Sequence, residues 1–67
     1  MYKVNYFITA KEEDGSASNI MQSSDIWYTN IEIEEIPKEL PKVLNSRRGD
    51  DKYLPVITNI ERIKGHL

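Results

Sequence analysis

Tyr2-Lys3-Val4-Asn5-Tyr6-Phe7-Ile8-Thr9-Ala10-Lys11-Glu12-Glu13-Asp14-Gly15 opens the chain, and the reading of this stretch decides the fold. Tyr2, Val4, Tyr6, Ile8 and Ala10 fall on one face; Lys3, Asn5, Phe7, Thr9 and Lys11 fall on the other. Alternation with period two, carried by β-branched and aromatic residues, predicts a half-buried strand. Asp14-Gly15 then supplies the positive φ of a tight hairpin. A two-residue loop pairs Ile8 with Met21 and Thr9 with Ile20. A three-residue loop, a type I turn closed by a left-handed Gly15, pairs Ile8 with Ile20 and Phe7 with Met21. The second register matches apolar residues on both faces and is preferred.

Working outward, the second strand is expected over about Ser16 to Gln22. Ser23-Ser24-Asp25 reads as a short polar break, and Ile26 to Ile33 as a third strand. On that strand Trp27, Thr29, Ile31 and Ile33 share the core face; Ile26, Tyr28, Asn30, Glu32 and Glu34 share the other. The period then changes. Ile36, Leu40, Val43 and Leu44 make a short apolar helical stripe that starts near Pro37 and stops before Gly49. Pro41 leaves two readings open, a kinked helix to about Ser46 or a second helix begun at Pro41. A last strand follows, about Tyr53 to Ile63, with Pro55 marking a sheet edge or bulge. The order β-β-β-α-β predicts an α+β domain, a small antiparallel sheet of three to four strands with one short helix on one face. A small SH3-like or OB-like barrel is the alternative.

The 67 residues form a single domain, 1–67, and a chain this short buries only about 60% of its unfolded surface. With no cysteine, disulfides cannot reinforce it. The single histidine, His66, leaves carboxylates alone to build a metal site, so no metal and no cofactor is expected. Self-association is the remaining route, since a free sheet edge can complete a core across a dimer. The absence of an apolar run of about 20 residues argues against membrane insertion. The strand-like first residues and absent cysteine point to the cytoplasm. A composition that leans on Ile, Asn, Lys and Tyr and is poor in Ala hints at an A/T-rich coding genome, that of a low-GC bacterium or of its phages and mobile elements.

The net charge of −2 divides unevenly. In residues 1–36, Lys3 and Lys11 stand against Glu12, Glu13, Asp14, Asp25, Glu32, Glu34 and Glu35, a net −5. In residues 37–67, Lys38, Lys42, Arg47, Arg48, Lys52, Arg62 and Lys64 stand against Glu39, Asp50, Asp51 and Glu61, a net +3. Pairing of the two halves within the fold accounts for this division.

No residue set matches a catalytic pattern. His66 sits in the tail, and the carboxylates fall in turns and on exposed faces, so no catalytic residue is assigned and an enzyme is not expected. Arg48-Gly49-Asp50 is read as a turn. Elimination leaves a non-enzymatic protein-protein interaction or regulatory module, with an unknown protein partner and Ile26, Tyr28, Glu32 and Glu34 as the binding face. The alternative is a small nucleic-acid-binding domain that uses Arg47, Arg48, Lys52 and Tyr53, with Tyr6, Phe7, Trp27 and Tyr28 as a stacking platform. A lesser alternative is a DNA mimic, because Glu32 and Glu34 on one strand would stand about 7 Å apart, near phosphate spacing.

Overall fold

The structure, a computed structural model, describes residues 1–65. Among them run β1 (Tyr2–Lys11), β2 (Ala17–Thr29), a 3-10 turn (Ile33–Glu35), α1 (Ile36–Arg48) and β3 (Tyr53–Arg62). The three strands form an open antiparallel sheet in the order β2-β1-β3, with α1 on one face. The fold is therefore α+β, and the closed-barrel alternative does not hold. β2 and β3 are parallel edge strands with β1 between them. A connection between parallel strands must cross the sheet, and α1 makes that crossing.

The hairpin turn forms as expected: Gly15 N–H donates to Glu12 O (2.9 Å), Glu12 N–H donates to Ser16 O (2.7 Å), and Gly15 has φ 88°. Next to it, Lys11 pairs with Ala17, which is the preferred register. That register does not persist. Thr9 pairs with Met21, Ile8 with Ser23, and from there the pairing runs evenly to Tyr2 with Thr29. Bulges thus insert three extra residues into β2. Three is odd, so side chains that the turn register sends to one face end on the other. The consequence is that Trp27, opposite Val4, joins the helix side instead of Ser24. Burial of one tryptophan on the core side is the larger gain, and the bulges reconcile it with the turn. The predicted pairs Ile8–Ile20 and Phe7–Met21 are lost.

The second correction follows from the first. Ser23-Ser24-Asp25 is not a break but the middle of one continuous thirteen-residue strand, so the order is β-β-α-β. Poor strand formers are held there by tertiary bonds: Ser23 Oγ accepts from Arg48 Nη2 (2.7 Å) and Asp25 Oδ2 accepts from Arg47 Nη1 (2.8 Å). The strand also ends earlier than predicted, at Thr29. Ile33 lies in the 3-10 turn, 46% exposed, and not in the core.

α1 settles the Pro41 question in favour of one helix from Ile36 to Arg48. Pro41 lacks the N–H that would bond Pro37 O, and Pro37 is exposed, so water can satisfy that carbonyl. The helix stops at Gly49, whose φ of 77° fits the left-handed cap and whose N–H donates to Asn45 O (2.7 Å). Ile36, Leu40 and Leu44, four apart on one stripe, are buried against Val4, Tyr6 and Ile8. Tyr2, Trp27, Ile31, Val43, Tyr53, Ile57 and Ile60 close around them, half-buried.

Candidate functional site

Two features of the described residues invite a functional reading: a polar cluster where α1 meets β2, and the face of the sheet that α1 does not cover. The cluster centres on Tyr6, Asp25 and Arg47. Arg47 Nη1 lies 2.8 Å from Asp25 Oδ2, 3.0 Å from Tyr6 Oη and 3.3 Å from Ile26 O. Tyr6 Oη donates to Asp25 Oδ2 (3.2 Å), and Ile26 N–H donates to Asp25 Oδ1 (2.8 Å). The Ile26 amide, helped by the Tyr6 hydroxyl and the Arg47 charge, holds the Asp25 carboxyl below the usual carboxylate range. Burial raises the Tyr6 phenol, with the nearby Asp25 charge adding to the effect and Arg47 opposing it.

Proton transfer at neutral pH needs groups tuned toward neutrality. Here both shifts run the other way, fixing a carboxylate as charged and a phenol as protonated. What the arrangement does well is tie the end of the helix to the outer strand.

The same atoms close part of a sheet edge. Lys11 N–H donates to Lys52 O (2.8 Å), so the odd residues of β1 bond to β3 and the even ones bond to β2. On β2 this leaves Ser24, Ile26 and Tyr28 with backbone groups facing outward. The Ile26 N–H and C=O are already taken by Asp25 and Arg47. On β3, Pro55 opposes Ile8, at a position whose N–H would point to solvent. Each edge is thus interrupted at one position, Ile26 on β2 and Pro55 on β3, which disfavours strand addition.

The uncovered face is mixed at its centre, where Phe7 has Asn5 and the fully buried Thr9 beside it on β1. Phe7 on β1 lies between Ser24 on β2 and Val56 on β3; Ile26 and Tyr28 stand toward one end, Met21 and Leu54 toward the other. Ile26 is 40% exposed, Tyr28 44% and Met21 60%. Among the described residues no element packs over them. An extra residue at Thr58, whose hydroxyl donates to Asn5 O (3.1 Å), switches the facing of β3. That switch places Tyr53 and Ile57 on the helix side together with Ile60.

Of the four residues expected to share one strand face, Ile26 and Tyr28 do. Glu32 and Glu34 do not: Glu32 caps the 3-10 turn and Glu34 lies within it, past the end of β2. This also removes the strand spacing on which the phosphate-mimic reading depended. The alternative set, Arg47, Arg48, Lys52 and Tyr53, is gathered at the end of α1 and the start of β3. Its charges are largely committed: Arg47 to Asp25, and Arg48 to Ser23 and to the Tyr53 ring, whose centroid is 4.8 Å away. Lys52 is exposed. The aromatic platform is split, because Tyr6 and Trp27 face the helix while Phe7 and Tyr28 face away.

Phe7, Leu54, Val56 and Met21 were missed as surface residues. The signal available in the sequence was Phe7 among Lys3, Asn5 and Thr9, and a last strand apolar on both faces. His66 lies outside the described residues. Among those described, no three His, Cys, Asp or Glu side chains come together as a metal site, and no helix is long and apolar enough to cross a membrane. No family model, no curated protein and no solved structure matches this chain.

Proposed function

We propose that this chain is a cytoplasmic, non-enzymatic protein-protein interaction module, of the small regulatory kind carried by phages and mobile elements. Its binding surface is the uncovered face of the sheet. One observation carries the reading: Ile26 and Tyr28 stay 40% and 44% exposed on the same face of the sheet as Phe7 and Val56. Singly scattered apolar residues on a surface need no explanation, but here Ile26 is the diagonal neighbour of Phe7, and Phe7 pairs with Val56, so apolar side chains of all three strands gather on one face as on a contact surface. They are rimmed by Lys3, Lys11 and Glu61, the polar border found around interface cores. Nucleic-acid binding has less behind it, since Arg47 is paired and the chain is acidic overall.

The test is affinity capture by the wild-type chain and by an Ile26→Glu, Tyr28→Glu variant in parallel, with melting temperatures measured on both. Loss of a nuclease-resistant protein partner at an unchanged melting temperature supports the proposal. A variant that keeps its partner sinks it, and so does a partner lost on nuclease treatment.

A further inference from the structure

We infer that the occupant of the uncovered face is a second copy of this chain, packed sheet on sheet about a two-fold axis that crosses the strands at Phe7. This rests on the proposed binding role of that face and names its partner. Three observations lead to it.

The first is the limited core. Among the described residues six apolar side chains are buried, and these residues extend over 39 × 19 × 19 Å with a radius of gyration of 12.1 Å. A compact chain of this length has a radius of about 11 Å. The sheet is long for the one helix that covers it, and a second layer on the bare face shortens the shape and enlarges the core.

The second observation concerns the edges. Small sheets often associate by strand addition, which needs free backbone groups along an edge. Ile26 on β2 is capped by Asp25 and Arg47, and Pro55 interrupts β3. Association is directed to the face.

The third is complementarity. An axis across the strands at Phe7 stacks Phe7 on its symmetry mate and lays Ile26 over Met21 of the second copy. It also brings Glu61, opposite Lys3 at one end of the sheet, over the second copy's Lys52, which is opposite Lys11 at the other end. Two such pairs form per dimer. The same axis sets Lys3 over the second copy's Lys11, and the stems of both are long enough to carry their charges apart and out to solvent. Three strands about 4.8 Å apart and ten residues long at about 3.3 Å each present about 470 Å² per copy. The pair covers about 950 Å², the size of a weak, concentration-dependent contact.

Within one chain, Glu61 and Lys52 stand roughly 30 Å apart along β3. An interaction between them can therefore arise only between copies. The deciding experiment is sedimentation equilibrium over a range of concentrations for the wild type, Glu61→Lys, Lys52→Glu and the double exchange, with Trp27 fluorescence as the folding control. The mass should double from 7.8 kDa as concentration rises. Each single reversal should weaken the dimer roughly tenfold, since both symmetry-related pairs become repulsive, and the double exchange should restore it.

A wild type that stays monomeric at every concentration overturns the inference. So does a dimer that the single reversals leave unchanged, or one that the double exchange fails to restore. If the monomeric chain still captures a different protein through Ile26 and Tyr28, the binding face stands and only its occupant changes. If it captures none, both readings fall.

Discussion

The two faces of the sheet are built from the same three strands and have opposite fates. On one, Val4, Tyr6 and Ile8 are sealed under Ile36, Leu40 and Leu44. On the other, one residue along each strand, Phe7, Ile26 and Val56 remain in reach of solvent. Connectivity makes the difference. The chain returns from β2 to β3 by a single crossing, and one helix covers one face. Apolar character alone does not put a residue in the core; it must also lie on the side where the crossing passes.

The comparison is broken most directly from the covered side. Leu44→Ala should cost about 2–5 kcal/mol, a large share of the stability a small domain possesses. Urea denaturation followed by Trp27 fluorescence measures it. A cost below about 1 kcal/mol would mean that the helix does not seal this face. Next in size is Gly49→Ala, where a φ of 77° asks a side chain to enter the left-handed region, at about 1–2 kcal/mol. Gly49→Asn should recover part of that loss in the same assay.

Arg47→Ala removes the tie between helix and outer strand. Arg47 and Asp25 are 42% and 48% exposed, so solvent screening discounts the pair and about 1 kcal/mol is expected. A double-mutant cycle with Asp25→Asn isolates the coupling, and additive losses would show that the two do not cooperate.

Acid titration sharpens the same point. The folded Asp25 carboxyl lies below its ordinary value, so its contribution is present above about pH 4 and fades as pH falls through the lower folded value. Asp25→Asn should therefore lose less stability between pH 4 and 2 than the wild type. The comparison needs the Asp14 background held constant, since hydrogen bonds from Ser16 lower that carboxyl too. An identical acid limb in both proteins would remove Asp25 from the account.

The smallest effect belongs to the bare face. Ile26→Ala should change the stability of the monomer by no more than about 0.5 kcal/mol. A loss near that of Leu44→Ala would mean that the two faces are not different after all.

Much of the covered layer was legible in advance. The alternation of Tyr2 to Lys11, the stripe Ile36-Leu40-Leu44, the Gly49 stop and the edge position of Pro55 are local patterns, and local patterns are what a sequence displays. The site was half legible. The alternation puts Ile26 and Tyr28 on an exposed face, but it runs on past Thr29, where β2 ends, and so carries Glu32 and Glu34 with them. Ser23-Ser24-Asp25 reads as a break because these residues have poor strand propensity. Asp25's reason for being in a strand lies twenty-two residues away, at Arg47.

The sequence by itself determined the period of each segment, the hairpin turn and the helix ends, because these depend on backbone preferences and on neighbours a few residues apart. Only the tertiary structure decided the register of β2 and which face of each strand is core. Those choices turn on bulges totalling an odd number of residues in β2 and one extra residue in β3. A bulge is adopted where burying Trp27 and Ile57 under the helix outweighs regular pairing, a balance between distant groups that no local window contains.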